Sequence, residues 1–218
     1  MIVVALTGSI AMGKSRAAVM FRAFGIPVFD ADAEVHALFA PGGAAVAGVV
    51  AAFPGCLAGG GGIDRGVLGR MVLDRPAELR RLEAIVHPLV RAGEGRFLRL
   101  ACRAGAAMVV LDIPLLFETG GEARADAVAV LSAGPMLQRQ RALRRAGMAP
   151  AKLAQILEKQ VPDWCKRRQA DFVIRSGSDQ GALAAQVEAV IRAALARPTA
   201  AWPARWLRHG TAVTTRRV

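Results

Sequence analysis

The sequence predicts an α/β protein: a three-layer fold with a parallel sheet, carrying a helical insertion and a helical lid. Three observations predict it. A short apolar strand at the start of the chain leads into a glycine loop and then a helix. Four more apolar runs, at 26–29, 107–112, 125–131 and 170–174, alternate with helical stretches, as a parallel sheet requires. Two long tracts with helical rather than strand character, 40–105 and 136–167, supply the insertion and the lid.

Ile2-Val3-Val4-Ala5-Leu6 is apolar and rich in β-branched residues, so it reads as a buried strand. The loop after it fits G-x-x-x-x-G-K-[ST], with Gly8, Gly13, Lys14 and Ser15 at the fixed positions. Glycines let the backbone bend closely enough for its N–H groups to face phosphate oxygens. Lys14 reaches the outer phosphates, and the Ser15 hydroxyl suits a magnesium ion. Residues 17–24 continue as a helix that ends at Gly25 and Pro27, and its positive N-terminal end adds to the same spot.

The second strand, 26–29, ends in Asp30-Ala31-Asp32. A right-handed crossover places the carboxyl end of that strand on the same side as the glycine loop, so both acids are candidates to face it. Either can instead cap a helix over 33–39, and one of the pair can do each job. Residues 42–53 read as a helix, Gly59–Gly62 as a turn or hairpin tip, and Asp64 as the cap of the next helix. Pro76 opens a longer helix, with Leu79, Leu82, Ile85 and Val86 at helical spacing, which His87-Pro88 is expected to interrupt.

Residues 107–112 form a buried strand ending in Asp112, placed to bind magnesium through water. Ile113-Pro114-Leu115-Leu116-Phe117-Glu118 follows, with Glu118 read as lining the substrate side or as an exposed loop acid. A helix from Pro135 to Arg145 puts Gln138 with Arg141, and Arg141 with Arg145, on one face. Arginine donors there can close over phosphates as a lid, or form a solvated basic helix. A helix pair over 151–169 breaks at Pro162, and Arg175-Ser176-Gly177-Ser178 turns at the carboxyl end of the last strand. The helix 180–196 packs Leu183, Val187, Val190 and Ile191 on the sheet, and the tail from Pro198 reads as an appendage without its own core.

A chain of 218 residues suits one such domain, 1–196, with a basic tail at 197–218. The net charge of +12 includes five arginines and no acid in that tail, and Arg outnumbers Lys by 25 to 4. Aromatic residues are only 5% and Tyr is absent, which argues against a base-stacking surface, so no nucleic-acid partner is expected. Cys56, Cys102 and Cys165 are odd in number and irregularly spaced, giving neither a disulfide framework nor a zinc site. With no signal peptide and no run of about 18 uncharged apolar residues, a cytoplasmic protein without membrane contact is expected. No N-K-x-D guanine-reading motif occurs, which argues against a GTP switch.

Taken in order, LTGSIAMGKS at 6–15, GIPVFDAD at 25–32, His87-Pro88, IPLLFE at 113–118, the Q-x-x-R of Gln138 and Arg141, and ADFVI at 170–174 resemble the dephospho-coenzyme A kinase family. The resemblance covers about residues 1–196. It implies a P-loop NTPase three-layer fold of the nucleoside-monophosphate-kinase type, with a helical substrate-binding insertion and a lid. It implies transfer of the ATP γ-phosphoryl group to the ribose 3′-hydroxyl of dephospho-coenzyme A, with Mg2+. On it, Lys14, Asp32 and Arg141 are catalytic, Asp32 as the base. Gly8, Ala11, Met12, Gly13, Lys14, Ser15, Arg16 and Arg145 bind ATP. Asp30, His87, Leu115 and Glu118 bind the acceptor, and Ser15 and Asp112 hold the metal.

The family usually shows glycine and a small polar residue where Ala11 and Met12 stand, and a hydroxyl residue where Arg16 stands. Met12 is expected to contribute mainly its N–H, and Arg16 to contact phosphate in place of the hydroxyl. Another small-acceptor P-loop kinase is the first alternative, and a non-catalytic nucleotide- or RNA-binding protein is the second. Oligomeric state is left open by the sequence.

Overall fold

The computed structural model describes residues 1–177 and 179–208, the side chains of 207 and 208 excepted. The chain opens with β1 (Ile2–Thr7), α1 (Lys14–Ala23) and β2 (Val28–Asp30). Next come α2 (Ala31–Phe39), α3 (Val46–Ala52), α4 (Arg65–Val72) and the long α5 (Pro76–Arg103). The remainder runs β3 (Met108–Asp112), β4 (Ala127–Ser132), α6 (Pro135–Leu143), α7 (Pro150–Glu158), α8 (Asp163–Gln169), β5 (Phe172–Arg175), α9 (Gln180–Leu195) and α10 (Ala204–Arg208). Two compact units divide it: Met1–Phe29 with the chain from Leu98 onward, and Asp30–Phe97.

The first unit is organised by a five-stranded sheet of order β2-β3-β1-β4-β5. β1 is parallel to both of its neighbours, with Leu6 opposite Asp112 on β3 and Ala129 on β4. β4 and β5 are parallel as well. Every residue of β1 is buried, which is why it reads as one continuous apolar run. Side chains alternate along it: Ile2, Val4 and Leu6 meet Phe21 of α1 and Leu183 and Val187 of α9 on one face. Ala5 packs with Leu116, Val128 and Val130 on the other. The strand order reverses direction at β1, so the loop after it opens at a topological switch point, where α/β sheets bind ligands.

The second unit packs Phe39, Val49, Phe53, Leu68, Val72 and Val86 into its own core. It begins at Asp30 rather than at 40, because Leu38 and Phe39 of α2 belong to that core, and it ends at Phe97 rather than at 105. Leu57 and Ile63 form an antiparallel bridge, and the glycines between them are its tip. Asp64 caps α4, accepting from the N–H groups of Gly66 and Val67 at 2.9 Å.

His87-Pro88 does not interrupt the helix: α5 runs through both. A proline inside a helix removes one N–H and costs about 3 kcal/mol. Leu82, Ile85, Val86, Leu89 and Val90 pack into the core on either side of it. Val86 is buried and the other four are partly so; at roughly 1.5–3 kcal/mol for a fully buried side chain and less for the rest, the five together offset the proline.

The tail is also more than an appendage. Asp126 accepts the Val3 N–H through one oxygen and those of Ala200 and Ala201 through the other, at 2.7–2.8 Å. Arg205 donates to the Ala125 carbonyl at 2.7 Å, and Trp206 donates to the Arg124 carbonyl while the Arg124 guanidinium lies over its ring. The expected turn residue Ser178 and the tail from 209 onward lie outside the described residues.

Candidate active site

Close approach fixes the glycines of the first loop. A Cβ on Gly8 would stand 2.8 Å from the Leu131 carbonyl oxygen of β4. Gly13 has φ of +86° and lies against Ser176, where a Cβ would meet the side chain at 3.0 Å. It is also the residue before α1, so the helix N-terminus opens directly onto the loop. Ala11 takes φ of +61°, a left-handed conformation that suits glycine better. Its methyl group is buried against Ala142 and Leu153, and that packing compensates.

Lys14 and Asp112 meet here. The register places Asp112 beside Leu6, so its carboxylate sits at the carboxyl end of β3 next to the loop. Lys14 Nζ lies 2.5 Å from Asp112 Oδ1, and Asp112 is buried. Ser15 and Arg16, the next two residues, are exposed.

Met12 contributes more than its N–H, contrary to expectation. That N–H donates to the Ser9 carbonyl within the loop, and the side chain is a core residue. Its carbonyl accepts from Ser176 Oγ at 2.6 Å, and its sulfur accepts from the Ala133 N–H.

Arg141 is brought to the same loop. Its guanidinium donates to Ser176 Oγ at 3.0 Å and to the Ser176 carbonyl at 2.7 Å. Gln138, one turn earlier on α6, donates to the Ile10 carbonyl at 3.0 Å. Arg145 does not share their helix face, because α6 stops at Leu143 and Arg145 lies exposed in the turn that leads to Gly147. Spacing of i,i+4 aligns side chains only while the helix lasts.

Of the two acids after β2, Asp30 takes the capping role: its Oδ1 accepts the Ala33 N–H at 2.9 Å. Asp32 is exposed in the first turn of α2. Asp30, Asp32 and His87 all belong to the helical unit. Leu115 is 45% exposed, whereas Leu116 is fully buried. Glu118 is not an exposed loop acid. Its Oε1 accepts the Val161 N–H at 2.9 Å and pairs with Lys166 at 2.8 Å, and its Oε2 is buried.

Sequence reasoning missed Ser176 as the seat of Arg141, Gln160 as a partner of the loop, and Lys166. The last left one signal, since lysine is rare in this arginine-rich chain. Cys56 is buried in the helical unit, and burial pushes its thiol up, with the Asp64 carboxylate adding to the effect against a backbone hydrogen bond. No described helix is long and apolar enough to cross a membrane.

The sequence profile of the dephospho-CoA kinase family (CoaE) matches residues 2–181. A dephospho-CoA kinase of Mesorhizobium japonicum is 53% identical over 191 residues, covering 88% of this chain and 95% of the relative. That of Paramagnetospirillum magneticum is 59% identical over 165 residues, covering 76% and 77%. A crystal structure from Thermus thermophilus superposes with a TM-score of 0.76 at 32% identity, over 88% of this chain and 97% of the other. A phosphate loop at the switch point, a lysine paired with the carboxylate of the adjacent strand, and these relatives agree: the chain belongs to the dephospho-CoA kinase family, which phosphorylates dephospho-CoA in the last step of coenzyme A synthesis.

Proposed function

We propose that this chain transfers the γ-phosphoryl group of ATP to the ribose 3′-hydroxyl of dephospho-CoA, with Asp32 as the base. The observation that carries the ATP side is the convergence of Lys14, Asp112 and Arg141 on one glycine loop. Loop N–H groups and the α1 N-terminus cradle the phosphates, and Lys14 leaves Asp112 to neutralise the outer ones. Arg141, already seated against Gly13, donates to the transferring group as charge spreads over its oxygens. Asp32 accepts the hydroxyl proton of the acceptor, which suits an exposed carboxylate not used as the cap.

Mg2+ fits the donors present. Among the described residues no group of three or more His, Cys, Asp or Glu side chains could cage a metal, whereas Ser15 and Asp112 offer a hydroxyl and a buried carboxylate. Few protein oxygens, with the rest from water and phosphate, is the ligand set this ion takes. Ser15 and Asp112 would hold it, Asp112 through water, and it would supply charge neutralisation of the phosphates.

A coupled assay of ADP release tests the reading. Dephospho-CoA is expected to be the preferred acceptor over adenosine and nucleoside monophosphates, and Asp32→Asn to lower kcat sharply while ATP binding stays near wild type. Wild-type turnover by Asp32→Asn would remove the assigned base, and preference for a nucleoside monophosphate would remove the acceptor.

A further inference from the structure

Ile10 of the phosphate loop has both halves of its backbone occupied by side chains from far along the chain. Its N–H donates to Gln160 Oε1 at 3.0 Å, and its carbonyl accepts from Gln138 Nε2 at 3.0 Å. Gln138 comes from α6 and is buried, and Gln160 comes from the turn between α7 and α8. The Ile10 side chain packs against the buried cluster of Ala11, Ala142 and Leu153. A residue gripped at donor, acceptor and side chain holds its dihedrals, and so the direction of the loop N–H groups that follow.

Gln160 is held by its own N–H, which donates to the Leu157 carbonyl at 3.2 Å, and the residue after it is tied to a buried ion pair. The neighbouring Val161 N–H donates to Glu118 Oε1 at 2.9 Å, and Lys166 Nζ lies 2.8 Å from that same oxygen. Lys166 is fully buried on α8, and its ammonium makes no aligned hydrogen bond among the described residues, so the contact with Glu118 is ionic. Glu118 Oε2 is buried without a partner among them. A pair withdrawn from water in this way is weak evidence of stability and better evidence of a fixed arrangement. Here it fixes the turn at 160–162, with Val161 on the carboxylate and Lys166 on the helix that starts just beyond it.

We propose that Gln160 and Gln138 are positioning residues for the triphosphate loop, and that Glu118 with Lys166 acts through Gln160 on the ATP side of the reaction. Glu118 thus leaves the acceptor site assigned to it from sequence. The inference rests on reading the loop as the ATP site. Its test separates the two substrates.

Gln160→Met keeps the chain length and removes the acceptor, leaving the Ile10 N–H unpaired. The KM for ATP and the ATP dissociation constant, measured by calorimetric titration, are expected to rise about tenfold. The KM for dephospho-CoA should stay within about twofold. Glu118→Gln with Lys166→Met removes both charges together, so neither is left buried alone, and is expected to shift the same constants in the same direction. Melting temperatures taken in parallel separate loss of fold from loss of positioning, and if the double variant does not fold, Gln160→Met decides alone. Wild-type ATP affinity in Gln160→Met overturns the proposal, as does a double variant that weakens only dephospho-CoA. A wild-type protein that binds no ATP removes the loop reading itself, and the proposal with it.

Discussion

Ser176 holds Arg141 by two atoms, its hydroxyl at 3.0 Å and its carbonyl at 2.7 Å, while the same hydroxyl donates to the Met12 carbonyl at 2.6 Å. The arginine is therefore indexed to the phosphate loop through one buried serine. Ser176→Ala removes the hydroxyl and leaves only the carbonyl contact. It is expected to lower kcat about tenfold, while Arg141→Ala lowers it by on the order of 10³. Steady-state kinetics across both variants checks the order of the two effects, and equal rates for Ser176→Ala and wild type would contradict it.

Lys14→Ala is expected to abolish turnover, because it removes the only side-chain cation built into the loop's lysine position. It should also destabilise the protein, since the buried Asp112 carboxylate loses the ammonium beside it. Losing one member of a fully buried pair costs roughly 3–5 kcal/mol, and the partly exposed Lys14 puts the loss below that range. Denaturant unfolding of Lys14→Ala beside Lys14→Ala/Asp112→Asn measures it, and the double variant should recover part of the loss.

The loop itself was legible because its pattern is local: strand, glycines, lysine and helix lie within the first 23 residues. Ser176 and Gln160 were not, because they reach the loop from 164 and 150 residues away, with no motif at either position. Arg145 was placed on a helix face by spacing alone, and the chain turned away two residues earlier. Proline chemistry predicted a break at Pro88 that the surrounding apolar packing overrides. Without the resemblance Asp30 and Asp32 were both candidates for the cap, and the Ala33 N–H identifies Asp30 as the one that fills it.

Ala11→Gly tests the departure at that position. Glycine relieves the positive φ of +61°, worth about 1–2 kcal/mol, but gives up the methyl contact with Ala142 and Leu153 and adds unfolded-state freedom. The two nearly cancel, so the melting temperature should move by only a few degrees. A collapse in stability would show that the methyl contact dominates.

Cys56 and Cys102 should separate in a thiol-labelling time course. Cys102 is exposed and should react first, whereas Cys56 is buried with its thiol pushed up, so less thiolate is present at any given pH. The sign for stability follows. Above the ordinary thiol range near about 8.5 the unfolded chain ionises at Cys56 before the folded one does, so stability falls as pH rises there. Cys56→Ala should flatten that alkaline slope in unfolding experiments.

Asp126 ties the first strand to the tail by accepting the N–H groups of Val3, Ala200 and Ala201. Asp126→Ala is expected to lower stability by about 1–3 kcal/mol while leaving both KM values unchanged. A change in ATP KM without a change in melting temperature would contradict a structural role.

Because Lys14 already carries a carboxylate of the protein's own, an incoming anion wins it by exchange rather than by simple attraction. Chloride or a lone phosphate brings few contacts in exchange for a buried acid and is expected to compete poorly for the lysine. A triphosphate that also engages the main-chain amides would bring more contacts than a small anion, so the loop is expected to select among anions by how many contacts they bring.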